Sequence, residues 1–377
     1  MSEEKSQVVR QWVSMPGGSC DVRIGAGLVE GLGSLLRSAV GTPHACALVT
    51  AEGGDARLEE RLRRQLTDGG FAVSQIHVPS GRGARDWDAL GSLLKSLGEA
   101  GVTCDDLLLV AGDVDMLSLG SSAASCWCGG VPLAGLPLDL DAMVESPCSP
   151  RSIAVGGRDR MVSLRPSMRY LLCDPEEMDL DLGSEPSLLA RAIFAASAVA
   201  ESDKAFEELW DGTPQYMGGG EGAGDAILAQ ALASLKTRGY MVSSTSLATR
   251  QSSTYAFDFA WAMSAELPDV PLSTLVAEGM RFAGRLSVAQ EKISVDDMLA
   301  QDELLERLGL PYLSCRMEPA RMVEALRRER FQRSGRFLLA IPQKLGRVRL
   351  SSVDDDLLLE HVTAWCQTHA PQEGAEA

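Results

Sequence analysis

Histidine and basic charge are the two scarcities of this 377-residue chain: it has four histidines, and 35 Lys and Arg stand against 52 Asp and Glu for a net charge of −17. Such an acidic surface repels phosphate backbones and anionic headgroups, so neither nucleic acid nor a membrane surface is an expected partner. No apolar run reaches the length of a membrane span, and the opening MSEEKSQVVRQW has no apolar h-region, so nothing suggests secretion. Nine cysteines, an odd number scattered along the chain, suit reduced thiols better than a disulfide framework. A cytoplasmic protein is expected. What is present is enough apolar residue, 45% of the chain, to bury the cores of two domains.

The first half alternates short apolar runs with helical patterns: Asp21–Ile24, Ala45–Thr50, Phe71–Val78, Leu107–Val110, Val131–Leu136 and Met168–Cys173 read as strands. Between them Leu28–Val40, Arg57–Leu66, Trp87–Glu99 and the small-residue stretch near Met116–Ala124 read as helices, with a hairpin turn at Gly156-Gly157. Strands apolar throughout are those of a parallel sheet covered on both faces, so an α/β Rossmann-like domain is expected over residues 1–178. The acidic run DPEEMDLDLGSEPS, Asp174–Ser187, marks the boundary, and 179–377 reads as a mainly α-helical domain. Its helices are expected from Leu188 to Ala200, from an Asp225 cap to a stop near Gly239, and over Thr254–Ala265, Thr274–Ser287, Asp296–Leu308, Pro319–Arg330 and Asp354–Cys366. Phe337–Ile341 and Arg347–Leu350 read as a hairpin, and the glycine-rich MGGGEGAGD, Met217–Asp225, as a flexible loop, since no Gly-Lys-Ser/Thr follows it.

A set of anchors in order along the chain carries a family resemblance. Ile24-Gly25-Ala26-Gly27-Leu28, Val78-Pro79-Ser80-Gly81, Ala111-Gly112-Asp113-Val114, Gly130-Val131-Pro132 through Pro137, Val144-Glu145-Ser146, Ala277-Glu278-Gly279-Met280 and Gly335 to Gly346 together resemble 3-dehydroquinate synthase of the sugar-phosphate cyclase superfamily. That resemblance implies its two-domain fold, with an NAD-binding N-terminal domain and a metal-holding C-terminal one. It also implies a reaction of the shikimate pathway of aromatic amino-acid biosynthesis, a carbon–oxygen lyase step that makes 3-dehydroquinate from a seven-carbon sugar phosphate. NAD and a divalent metal such as zinc or cobalt serve that reaction, with substrate in the cleft, and the family is commonly homodimeric.

The residues that do this chemistry in the family are mostly replaced. The family's metal ligands are one Glu and two His; their positions here carry Ile193 (or Phe194 if the register slips by one), Ser253 and Leu272. A divalent cation needs imidazole, carboxylate or thiolate lone pairs, and neither Ile nor Leu offers one. His44, His77, His361 and His369 lie outside the presumed ligand helices, and Cys126-Trp127-Cys128 has no second pair at zinc-site spacing and reads as core thiols. At the cofactor positions the three glycines of the diphosphate turn become Ala111, Gly112 and Asp113, the ribose-binding acid becomes Arg82, and Leu138-Asp139 replace paired threonines. Arg82 and Arg85 are left as candidate phosphate contacts, with exposed surface arginines the commoner case.

Charge persists at several substrate positions: Glu145, Arg151, Arg160, Lys236, Arg250 and Arg330. They are candidates for holding a carboxylate or phosphate, against the commoner reading of solvated loop and helix-end side chains. No cofactor is therefore expected. The function expected is that of a degenerate synthase homologue, a pseudoenzyme that binds an anionic metabolite or a partner. The alternatives are a divergent active synthase or another reaction on the same scaffold.

Overall fold

The structure is a computed structural model and describes residues 8–40, 44–165 and 168–371. The chain divides into two compact units: residues 1–181 with 238–243, and residues 182–237 with 244–377.

The first unit contains β1 (Val9–Met15), β2 (Gly18–Ile24), α1 (Leu32–Val40), β3 (Ala45–Ala51), α2 (Ala56–Asp68), β4 (Ala72–Val78), α3 (Trp87–Glu99), β5 (Leu107–Gly112), α4 (Val114–Cys126), β6 (Leu133–Pro137), α5 (Leu140–Glu145), β7 (Ile153–Val155), β8 (Arg158–Val162) and β9 (Met168–Cys173). Seven strands form one sheet in the order β1-β2-β9-β6-β5-β3-β4. All neighbours are parallel except the β1–β2 hairpin. Strands β5 and β6 are buried along their whole length, which explains their unbroken apolar sequence. Leu58, Leu62 and Leu66, one stripe of α2, pack with Leu32, Leu36, Leu48 and Leu109 into the core.

The sheet and its covering helices are as the sequence implies; the differences are local. β1 was not expected, because Arg10, Gln11 and Ser14 interrupt its apolar residues, yet it pairs residue for residue with β2. Helix α1 starts at Leu32, not Leu28: the Asp174 carboxylate accepts from Gly27 N and Val29 N, both at 3.0 Å, and holds Gly25 to Gly31 as a turn. The Gly156-Gly157 turn joins β7 to β8, both glycines at positive φ (59° and 73°), the demand of a two-residue hairpin. Cys126 and Cys128 are exposed rather than core thiols.

The second unit contains α6 (Glu185–Glu201), α7 (Asp203–Met217), α8 (Ala223–Ser243), α9 (Leu247–Ser252), α10 (Phe257–Glu266), α11 (Leu272–Ala289), α12 (Val295–Arg307), α13 (Pro319–Phe331), β10 (Leu339–Lys344), β11 (Arg347–Ser351) and α14 (Asp355–His369). It is mainly helical, with one antiparallel hairpin. The last residues of α8, 238–243, count with the first unit. Helix α8 begins before Asp225, which lies in its first turn rather than capping it, and it runs through Gly239. A Cβ there would meet Ser14 O at 2.3 Å, so the glycine serves a close approach of α8 to β1 and stops nothing. Among the described residues no helix is long and apolar enough to cross a membrane.

Candidate functional site

In the first unit a cavity of about 220 Å³ opens at the carboxyl ends of β3, β5 and β6, where doubly wound sheets hold their ligands. Its lining includes Asp55, Glu59, Ser80, Gly112, Asp113, Leu138 and Asp139, four carboxylates and no basic side chain. Three helix N-termini end there, each a place where backbone N–H groups and the helix dipole favour an anion. Each is already closed by an aspartate of this chain. Asp55 accepts from Arg57 N at the start of α2, Asp113 from Met116 N (2.8 Å) at the start of α4, and Asp139 from Ala142 N (2.7 Å) at the start of α5.

Asp113 reaches further: its second oxygen accepts from Gly81 N at 2.7 Å, tying the turn after β4 to the turn after β5. Above Gly112 the thioether of Met116 fills the space, its sulfur 2.5 Å from where a Cβ of residue 112 would stand. The room a diphosphate would take is held by a carboxylate and a methionine. Burial, with Asp113 adding to it, raises the Asp139 carboxyl to about 6. The residues present do not fit a dinucleotide diphosphate in this turn.

Behind this cavity lies a buried ionic cluster that neither reading of the arginines anticipates. Arg151 is neither solvated nor open to a ligand: its guanidinium meets Asp141 and Glu145 at 2.7 Å and Asp115 at 3.3 Å, and its N–H donates to Ser118 Oγ. Arg85 pairs with the same Asp115 at 2.6 Å. Burial, then the neighbouring Glu145 and Asp139, pushes the Asp141 carboxyl far up against the pull of Arg151. Glu145 feels the same burial but is held low by Arg151 and Arg238. Arg82 is exposed and bridges to Asp159 on β8, and Arg160 is half-buried on the same strand at φ +56°.

The second unit contains the three positions that the resemblance assigns to metal ligands. Ile193, in the middle of α6, is fully buried. Leu272 opens α11. Ser253, at the end of α9, donates its hydroxyl to Arg250 O at 2.7 Å. Among the described residues no group of three His, Cys, Asp or Glu could hold a metal ion. A divalent cation does not fit this donor set. Lys236 and Arg250 are exposed, and Arg250 bonds to Ser244 O. Arg330 is paired with the buried Asp258 at 2.8 Å, and Asp258 also accepts from Ala340 N, so this pair ties α13 to α10 and β10.

The sequence reading missed Arg238, buried and bonded to Ser149 Oγ at 2.7 Å, because α8 was expected to stop near it. It also missed the partnership of Arg85, Asp115 and Arg151, residues separated by long stretches of chain with no local pattern. Spacing could have found the Glu278–Arg281 pair, three residues apart on an apolar helix.

No protein-family model matches the chain. The 3-dehydroquinate synthase of Nocardia farcinica (strain IFM 10152) is 24% identical over 367 residues, 94% of this chain and 95% of that protein. That of Leuconostoc citreum (strain KM20) is 30% identical over 146 residues, 39% of this chain and 38% of that protein, a match that spans well under half of either. Among solved structures, 2-deoxy-scyllo-inosose synthase complexed with carbaglucose-6-phosphate, NAD+ and Co2+ superposes with TM-score 0.80 at 12% identity, over 94% of this chain and 99% of that one. The 2-epi-5-epi-valiolone synthase of Streptomyces hygroscopicus subsp. jinggangensis 5008, with NAD+ and Zn2+ bound, gives 0.75 at 16%, over 95% and 99%. The fold is therefore that of the sugar-phosphate cyclases. Within that class the homologues by sequence are the 3-dehydroquinate synthases, and the resemblance read from the motifs is borne out.

Proposed function

We propose that this chain is a 3-dehydroquinate synthase-like protein that does not run the NAD- and metal-dependent synthase reaction and acts instead by binding an anionic small molecule or a partner, as a homodimer. The observation that carries the reading is Ile193. Ile193, which the resemblance sets at the family's carboxylate ligand, is a fully buried aliphatic side chain, and Leu272 and a self-bonded Ser253 are the residues it sets at the other two positions. Without a Lewis acid, several kcal/mol of transition-state stabilisation are missing. The acidic lining of the cavity at Gly112 argues in the same direction for the cofactor.

The second reading, a divergent active synthase, draws on the likeness to Nocardia farcinica synthase over nearly the whole chain and on neighbours that bind NAD+ with Co2+ or Zn2+. Thermal unfolding of the purified chain with NAD+ and zinc or cobalt separates the two. The melting temperature stays unchanged on the first reading; a rise of several degrees supports the second.

A further inference from the structure

At the amino-terminal ends of the parallel strands, away from the acidic cavity, the first unit opens another cavity of about 510 Å³. Three segments meet there: the β1–β2 hairpin turn at Gly17-Gly18, the approach to β6 at Gly129-Gly130, and the start of β9 at Arg169-Tyr170. The volume lies within the roughly 300–1,000 Å³ of small-molecule sites. In a chain with 52 Asp and Glu, this lining holds no carboxylate, and its one charged side chain is Arg169. Arg169 is exposed and has no hydrogen bond or ion pair among the described residues. Its guanidinium is open to an anion.

The sheet supplies two aromatic walls. Trp12 on β1 stands opposite Asp21 on β2, and Asp21 opposite Tyr170 on β9, so all three side chains leave the same face of the sheet. Two strand spacings, about 10 Å, separate the backbones of the aromatic pair, room for one flat ring between them. The floor there is not acidic, because Asp21 is fully buried and bonded by Arg10 at 2.8 Å and Arg23 at 3.0 Å. Burial raises the Tyr170 hydroxyl, while Arg169, Arg23 and Arg10 pull it back, which sets three guanidinium groups within electrostatic reach of it. Arg10 lies 5.2 Å over one face of the Trp12 ring, yet Trp12 remains 54% exposed. A ligand in this cavity can therefore touch both Trp12 and Arg169.

We propose that this cavity binds an aromatic carboxylate of about two fused rings, the rings against Trp12 and the carboxylate on Arg169. Offset stacking on an indole favours a flat, conjugated body over an aliphatic one. The planar fork of a free arginine matches the two oxygens of a carboxylate. Arg10 and Arg23 are committed to Asp21, so the lining offers one uncommitted positive charge and suits a monoanion rather than a diphosphate. The cavity lies at the opposite end of the sheet from the positions that the resemblance assigns to the cofactor. It stands whether or not the synthase reaction runs.

The test is a titration of the full chain with 2-naphthoate, followed by calorimetry and by the indole N–H resonances of its six tryptophans. The Trp12 resonance is assigned by its loss in Trp12→Leu. Cyclohexanecarboxylate keeps the charge without the flat ring, and 2-naphthalenemethanol keeps the ring without the charge. The expected result is saturable naphthoate binding that moves the Trp12 resonance, exceeds that of both comparisons, and is weakened about tenfold or more in Arg169→Gln. Arg169 is exposed, so that replacement leaves the core intact. Gly18→Leu, at a position without positive φ and with nothing within 4 Å of its Cβ, should fill the cavity and abolish binding. Absence of binding, a Trp12 resonance that stays in place, an unchanged affinity in Arg169→Gln or Gly18→Leu, or equal binding of the neutral alcohol would each overturn the assignment.

Discussion

On the proposed reading the two units depart from the synthase pattern by opposite chemistry. In the first, two of the positions that the resemblance assigns to the cofactor carry carboxylates. Asp113 and Asp139 cap α4 and α5 with the chain's own anions and line the cavity with charge that repels a diphosphate. In the second, the positions that the resemblance assigns to the metal are apolar or self-bonded: Ile193 and Leu272 have no lone pair to give, and the Ser253 hydroxyl donates to Arg250 O. A site closed by charge responds to pH and to single substitutions. A site closed by hydrocarbon does not, because restoring one ligand means burying a charge without its partners.

The sharpest way to break that contrast is Ile193→Glu. A carboxylate buried alone in α6 must take up a proton or stay desolvated, at a cost of about 4–7 kcal/mol, and urea unfolding should show that loss with or without zinc. Recovery in zinc of the triple substitution Ile193→Glu, Ser253→His, Leu272→His would mean that the second unit is as tunable as the first. Next in size is Arg151→Met. It leaves Asp115, Asp141 and Glu145 facing one another with Arg85 and the more distant Arg238 to compensate, and should cost about 3–5 kcal/mol in the same measurement.

Asp139→Asn sharpens the contrast by pH. The folded carboxyl titrates at about 6 against an ordinary 3.8, so the folded state holds the proton more tightly than the unfolded one. Ionisation therefore destabilises the fold progressively as pH rises from about 4 to 6 and stays constant above. Asparagine caps a helix nearly as well and carries no such penalty. The variant should be more stable than the parent by roughly 1–3 kcal/mol at pH 8, with the gain gone at pH 4; a gain that is the same at both pH values would contradict the assignment. The smallest effect is expected of Asp113→Gly, which frees Gly81 N and Met116 N. It should lose about 1 kcal/mol of stability and gain a thermal shift with inorganic pyrophosphate that the parent lacks.

The sheet was legible in the chain because buried parallel strands are written as uninterrupted apolar runs: Leu107–Val110 is found as read, with two more residues at its end. The helix Trp87–Glu99 was read to the residue, since Leu90, Leu93 and Leu97 mark its buried face. Helices α5, α7 and α9 went unread. α5 and α9 are only six residues long, and Pro214 breaks the helical pattern near the end of α7. At the site, residue types were legible and partnerships were not. That Asp113 falls in the turn after an apolar strand could be seen in the sequence, whereas its bond to Gly81, 32 residues away, exists only once β4 and β5 lie in one sheet. Arg151 shows the same limit, since the three acids it joins come together through α4 and α5 packing, which no local spacing encodes.

The most direct measurement is consumption of the seven-carbon sugar phosphate by the purified chain supplied with NAD+ and zinc or cobalt. The account predicts no turnover above the rate without protein. Multiple turnovers that depend on the added metal would contradict it.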